Sequence, residues 1–146
     1  MKTVPSTPLS HYLSQKSRTG RPPNSIAYIT EGAALVSPVD LTGLRKLLPQ
    51  IKGKAVKIAD SERLRRRIEM LALYFQETRS QGGTPERREI AFVLFYFLKG
   101  YDMIPDSIPK IGLLDDALLV DTVLHRNEDA LRSHWAAKQR VFPETP

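Results

Sequence analysis

The chain has 146 residues, of which 41% are hydrophobic and 26% charged, a composition typical of one soluble globular domain. A chain of this length buries enough apolar surface to fold without a structural metal or a disulfide. Cysteine is absent, which excludes disulfides, thiolate metal sites and a cysteine nucleophile.

Membrane insertion and export are not indicated by the sequence. The longest apolar run, residues 90–98, is far shorter than the roughly 20 residues of a membrane span. The N-terminus has no apolar signal core, so we expect a cytoplasmic protein. The net charge of +6 is uneven, because residues 1–67 carry 13 Lys and Arg against 4 Asp and Glu, whereas residues 68–146 carry 9 against 12. Such asymmetry indicates either a surface for phosphate-rich partners or two halves that attract each other.

The first 25 residues are rich in proline and serine and contain bases but no acid. They offer too little apolar surface to offset the entropy of ordering, which predicts a mobile basic arm over residues 1–25. The remaining residues, 26–146, are expected to form a single helical domain. Within it, residues 26–29 are apolar enough for a short extended segment, although the role of residues 26–39 stays open.

Two helices are predicted next. Asp40 is a candidate N-cap for a helix over residues 41–48, which Pro49 should end or kink. Asp60 is a candidate N-cap for a longer helix over residues 61–80. Its apolar stripe has intervals of four, three and four residues and consists of Leu64, Ile68, Leu71 and Phe75.

The next helix is predicted to be the centre of the domain. Residues 81–83 (Gln-Gly-Gly) are a stop signal, and Thr84 followed by Pro85 is a start signal. The helix that follows is apolar on every face through residue 98, as expected of a central helix. The prolines within residues 101–112 argue against regular helix there. A long last helix begins near residue 113 and bends at Asn127, so we predict an all-α bundle with a proline-pinned acidic loop.

The loop and the start of the last helix carry a specific pattern, D-x-I-P-D-x-I-P-x-x-G-x-x-D-D. Its fixed positions are Asp102, Ile104, Pro105, Asp106, Ile108, Pro109, Gly112, Asp115 and Asp116. This pattern, after an apolar helix, resembles the YkvA-like domain family of unknown function over residues 70–135. One departure is Gly100, where many relatives have proline. The resemblance implies a small helical module, associated with membranes in some relatives and without an assigned reaction.

The loop aspartates allow two main interpretations, and recognition of a basic partner is a third. As caps and turn residues, they would be architectural, and the residue types favour this interpretation. Alternatively, Asp102, Asp106, Asp115 and Asp116 converge and hold Mg²⁺, Mn²⁺ or Ca²⁺, as in a metal-binding protein or a metal-dependent hydrolase. Apart from this divalent cation, no cofactor is expected. A second row of potential metal ligands lies at intervals of four residues on one predicted helix face and consists of Asp121, His125 and Asp129. For this row a solvated helix face is favoured over a metal site.

A basic segment precedes the family-like core. Its nine bases are Arg45, Lys46, Lys52, Lys54, Lys57, Arg63, Arg65, Arg66 and Arg67. Contacts from such a cluster to phosphates would depend strongly on salt. No aromatic residue lies between positions 29 and 74 for stacking on bases, which favours an anionic lipid or an acidic protein surface over nucleic acid. A solvated face that pairs with the acidic C-terminal half is the competing interpretation.

Together these patterns predict a non-enzymatic interaction protein, peripheral to the inner membrane surface through the basic segment. The metal-dependent alternative uses the loop aspartates, and a third hypothesis is nucleic-acid binding through the basic N-terminal half. No nucleotide-binding glycine motif and no serine-type triad is present, so neither a nucleotide cofactor nor catalytic residues are predicted. The oligomeric state stays open.

Overall fold

A computed structural model describes residues 8–9, 12–13, 25–58, 61–99 and 109–143, with the backbone alone at 25, 99 and 109–116. Within these ranges the chain forms six α-helices and one 3₁₀ turn, so the all-α prediction is confirmed. The helices are α1 (Ser25–Ala34), α2 (Pro38–Val56), α3 (Glu62–Glu77), α4 (Pro85–Lys99), α5 (Pro109–Arg126) and α6 (Glu128–Ala137), and the 3₁₀ turn spans Arg79–Gln81. In the described part of the chain, every helix is too short or too polar to cross a bilayer.

The core is built around α4, as its apolar sequence predicts. This helix packs against α1, α2, α3 and α5. Every residue from 90 to 97 is buried. Because a fully buried Leu or Phe side chain contributes roughly 1.5–3 kcal/mol, this one helix provides a large share of the apolar stabilisation.

The first helix replaces the extended segment predicted at residues 26–29, and that prediction is wrong. Tyr28, Ile29 and Ala33 are buried on one side of α1. On the same side, Gly32 lies so close to α4 that a Cβ atom there would be 2.2 Å from Cε1 of Phe92. The helical period is visible only over the full length of α1, because four apolar residues alone suit a strand and a helix equally.

The second helix starts earlier and ends later than predicted. Ser37, not Asp40, is the N-cap: its Oγ accepts a hydrogen bond from the backbone N–H of Asp40 at 3.1 Å. The carboxylate of Asp40 in turn accepts from the backbone N–H of Ser37 at 2.9 Å, which completes a capping box. The helix continues through Pro49 to Val56, because buried Leu48 and Ile51 hold both sides of the proline against the core.

The third helix begins after Ser61, whose Oγ accepts from the backbone N–H of Leu64 at 3.1 Å. Ser61 is therefore its N-cap; the Asp60 predicted for that role lies outside the described residues. All four residues of the predicted apolar stripe are buried, which confirms the helical face. Thr84 caps α4 as predicted, because its Oγ1 accepts from the backbone N–H of Arg87 at 3.3 Å.

The last predicted helix starts earlier in the structure than expected, and it is interrupted at the residue where a bend was predicted. Residues 109–112 are helical rather than part of the loop, because Pro109 occupies the first helical position, where a missing N–H costs nothing. Asn127 separates α5 from α6, which confirms the bend. Residues 101–108 of the predicted loop lie outside the described residues.

Five residues of the predicted N-terminal arm are described; Leu9, Tyr12 and Leu13 are packed, Pro8 is exposed, and Ser25 is described by its backbone alone. Leu9 and Leu13 are buried in the core. The hydroxyl of Tyr12 donates to the carboxylate of Glu31 at 3.0 Å, and its ring stacks on Tyr28 with centroids 5.3 Å apart. Tyr12 therefore contacts α1, and Leu9 and Leu13 belong to the core rather than to a solvated arm. The mobility of the arm as a whole and the domain boundary at residue 25 stay predictions.

Candidate functional site

The four loop aspartates fall largely outside the described part of the chain. Asp102 and Asp106 precede α5 and are not described, whereas Asp115 and Asp116 lie within α5 as backbone alone. Their convergence on a cation therefore stays a prediction. Among the residues whose side chains are described, no group of three His, Asp or Glu is arranged to hold a metal ion. The row Asp121, His125 and Asp129 is exposed.

Two of the nine predicted bases have partners that tie helices together. The Nζ of Lys54 donates to the carbonyl oxygen of Phe97 and lies 4.8 Å from the centroid of that ring. Lys54 belongs to α2, but its ammonium lies beside the last turn of α4, where a positive charge interacts favourably with the helix dipole. Arg67 donates to the carboxylate of Asp121 at 2.8 Å and so joins α3 to α5. This pair links the basic and acidic halves of the chain.

Arg65 and Arg66 share a weaker partner. Each lies 3.8 Å from the carboxylate of Glu62, one helical turn earlier in α3. The Glu62 side chain is 70% exposed, and ion pairs in solvent of this kind stabilise a protein by at most about 1 kcal/mol. Both arginines therefore keep most of their charge available to a partner.

The other five bases are exposed, and none of them takes part in an ion pair within the described ranges. These free bases are Arg45, Lys46, Lys52, Lys57 and Arg63. Arg45 and Lys52 are seven residues apart in α2, about two helical turns, and so lie on one face of that helix. Lys46 lies about a quarter turn from this face. Arg45, Lys46 and Lys52 therefore form a positive surface along α2, while Lys57 follows the end of α2 and Arg63 lies in the first turn of α3.

One end of this surface borders a cleft of about 230 Å³, which we name the arginine cleft. It lies between the start of α2, the 3₁₀ turn and the first turn of α4. Four arginines line it: Arg45, Arg79, Arg87 and Arg88. No carboxylate lines it among the side chains that the structure describes. Four guanidinium groups around one cleft leave a strong local excess of positive charge.

Arg87 forms the inner wall of the cleft and is only 2% exposed. Its Nη2 donates to the carbonyl of Phe75 at 3.0 Å, its Nη1 to the carbonyl of Gly82 at 2.6 Å, and its Nε to Oγ1 of Thr78 at 3.1 Å. Burial lowers the pKa of Arg87, and the charge of Arg45 lowers it further. Because its hydrogen-bond partners are neutral oxygens, Arg87 is held in place without an ion-pair partner among the described side chains.

The corner between α3 and α4 depends on Gly82, which has φ 72° and ψ −134°. Side-chain-bearing residues avoid this conformation. Arg79 precedes this turn and Arg88 follows it, and both line the cleft.

The sequence predicts Gly82 and Gly83 only as a helix stop, and Arg79, Arg87 and Arg88 were not among the predicted site residues. A usable signal was the occurrence of three arginines on both sides of a Gly-Gly turn, although Glu77, Glu86 and Glu89 lie close to them in sequence.

Fold and surface together define a small all-α bundle with a basic face that has no ion-pair partner among the residues the structure describes. Residues 87–120 match the profile of a family described as a protein of unknown function (DUF1232). The match starts at Arg87 and ends in α5, so it includes the whole pattern from Asp102 to Asp116. It supports an uncharacterised domain over this segment. No curated protein and no solved structure matches the chain.

Proposed function

We propose that this protein is a non-enzymatic interaction module that binds an anionic lipid surface through its free bases. The observation that carries this proposal is the exposure of five bases on α2 and the start of α3, none of them in an ion pair within the described ranges. Bases already neutralised by acids would have little left to offer a partner. The resemblance to the YkvA-like domain, with membrane association in some relatives, supports a location at the membrane surface.

The expected binding is reversible. A Lys or Arg close to an anionic membrane contributes about 1 kcal/mol, and the attraction falls off over about 10 Å at moderate salt. Five such residues together are enough for binding at low salt that is lost as salt rises. Val56 is 63% exposed between Lys52 and Lys57, which places an apolar side chain among the bases for contact with acyl chains.

Cosedimentation with vesicles tests the proposal. Full-length protein is mixed with phosphatidylcholine vesicles, with and without phosphatidylserine, over a series of salt concentrations. We expect binding only to the anionic vesicles, and weaker binding for Lys57→Gln. A matched control is Lys138→Gln, because both lysines are exposed C-cap residues of their helices, and only Lys57 belongs to the free bases. Parent protein that ignores anionic vesicles at low salt would refute the proposal, as would equal losses in the two variants.

The nucleic-acid hypothesis is separated by the same salt series on duplex and single-stranded DNA. A steep loss of affinity with salt on DNA, together with tighter binding to DNA than to vesicles, would favour it over the lipid surface.

The divalent-cation hypothesis has its own test, which is thermal unfolding with EDTA and then with Mg²⁺, Mn²⁺ or Ca²⁺. A site filled at 100 times its dissociation constant adds about 2.7 kcal/mol, or several degrees in Tm at this size. The hypothesis requires this shift in the parent and its loss in Asp106→Asn and Asp116→Asn. If the cations do not shift the Tm and both variants are less stable than the parent, the aspartates are architectural.

A further inference from the structure

We infer that the arginine cleft binds a phosphate monoester carried by a lipid headgroup. This inference rests on the proposed function and names the chemical group that the basic face recognises. It concerns a site that includes Arg79, Arg87 and Arg88, none of which belongs to the free bases.

The ligand class follows from the charge and shape of the donors. A phosphate monoester carries a charge of −1.5 to −2 near neutral pH and has three acceptor oxygens. Guanidinium groups bind such oxygens in pairs through parallel N–H donors, which a lysine ammonium cannot do. Four arginines with no carboxylate among the described lining residues repel one another until an anion is present. A dianion removes more of this repulsion than the single negative charge of a phosphodiester.

The cleft is prepared for such a group before it binds. Arg87 is fixed by its three hydrogen bonds, so its position costs the ligand no ordering entropy. Gly82 and Gly83 have no side chains to cover the floor, and Arg45 and Arg79 are exposed at the rim. The volume of about 230 Å³ is ample for a phosphate group, given that one water molecule takes about 30 Å³ in the liquid.

A lipid is favoured over a phosphorylated peptide by what lies next to the cleft. A second depression of about 360 Å³ shares Arg45 and Arg79 with it and adds Lys52. Positive charge therefore continues from the cleft along α2 to the free bases and to exposed Val56. A membrane presents one specific headgroup within a broad anionic and apolar surface, and this arrangement is complementary to it.

The test compares two vesicle types matched in surface potential, one containing phosphatidic acid, a phosphate monoester, and one containing phosphatidylserine, a phosphate diester. We expect the parent protein to bind phosphatidic acid roughly tenfold more tightly, the effect of one additional charge-assisted hydrogen bond. Arg88→Gln should lose this preference and still bind phosphatidylserine. Arg63→Gln is the matched control, because it removes one free base outside the cleft and should weaken binding to both lipids equally. Circular dichroism and thermal unfolding verify that each variant is folded.

The outcomes separate the inference from the proposed function. Equal binding of the parent to both lipids overturns the phosphate monoester site and leaves the lipid-binding proposal standing. Absence of binding to both overturns both. Glycerol 3-phosphate and a phosphoserine peptide serve as soluble probes in thermal unfolding and in competition with the vesicles. If the peptide displaces the protein from phosphatidic acid more effectively than glycerol 3-phosphate does, a lipid source is overturned in favour of a protein partner.

Discussion

The close approach of α1 to α4 makes Gly32→Ala a sharp test of the fold. A Cβ atom at Gly32 would lie 2.2–2.5 Å from three carbons of the Phe92 ring, whereas ordinary contacts begin at 3.4 Å. The ring would have to move by about an ångström. It cannot do so freely, because Phe92 is fully buried and packs edge-on against Tyr28 with centroids 5.1 Å apart. Overpacking of this kind costs about 1–3 kcal/mol.

Gly53→Ala is the matched control. Gly53 lies within α2 and is exposed. Apart from its chain neighbours and the backbone of its own helix, no described atom lies within 4 Å of the position its Cβ would take. Both substitutions gain helix propensity of about 0.5–1 kcal/mol, so the steric cost appears as the difference between the two variants. We expect Gly53→Ala to be more stable than the parent, and Gly32→Ala to be about 1–3 kcal/mol less stable than Gly53→Ala.

Urea unfolding followed by circular dichroism measures these differences, and thermal unfolding should show roughly 2–4 °C per kcal/mol. A double-mutant cycle with Phe92→Leu identifies the contact, because the cost of Gly32→Ala should fall when the ring is absent. Equal stabilisation by the two alanine substitutions would refute the packing of α1 on α4 described above.

Three further substitutions test other parts of the structure. Gly82→Ala should lower the free energy of unfolding by about 1–3 kcal/mol because Gly82 has a positive φ, whereas Gly83→Ala should be nearly neutral. Urea unfolding of the two variants measures this difference. Burial raises the pKa of Glu77, but hydrogen bonds from Arg140 and His134 outweigh it and hold the pKa below its ordinary value of 4.5. The parent should therefore be more stable than Glu77→Gln above about pH 4.5, and this difference in the free energy of unfolding should vanish as the pH falls through the native pKa of Glu77. A difference that stays the same in acid would contradict this. Glu89 is buried and accepts a hydrogen bond from Arg126 at 2.9 Å, so Glu89→Gln should lower the free energy of unfolding by about 1–3 kcal/mol. The carboxylate of Asp121 is exposed, so Asp121→Asn should lower it by less than about 1 kcal/mol. A reversed order of the two variants in thermal unfolding would be inconsistent with these burial differences.

Helices whose signals are local were predictable from the sequence. The apolar stripe of α3 and the Thr84-Pro85 start of α4 are set by residues within one or two turns, and both are confirmed. Two errors arose where tertiary packing decides. Pro49 lacks a donor for α2, but the buried stripe on both sides of it keeps the helix continuous. The need for glycine at position 32 on the buried side of α1 follows only from the packing of Phe92, which is sixty residues away in the sequence.

The candidate site was predictable only in part for the same reason. The bases of α2 are close together in sequence, and their clustering was visible. The arginine cleft instead combines Arg45 with Arg79 and Arg88, which different elements bring together. No pattern along the chain gives the distance between α2 and the corner before α4. Nor does the sequence show which bases have partners, such as Arg67 with Asp121 on α5.

The hydrogen bonds of Arg87 have a consequence for how this corner moves. A single side chain joins the end of α3, the Gly82 turn and the first turn of α4. Opening of the turn requires the bond to the carbonyl of Gly82 to break, and separation of the two helices at this corner requires the bonds to Phe75 and Thr78 to break as well. Its amide hydrogens at Gln81 and Gly82, which are bonded to the carbonyls of Thr78 and Arg79, should exchange with solvent at a rate set by separation of α3 from α4. We therefore expect this surface corner, a kind of site that frays early in many small proteins, to be among the last parts of the described structure to exchange.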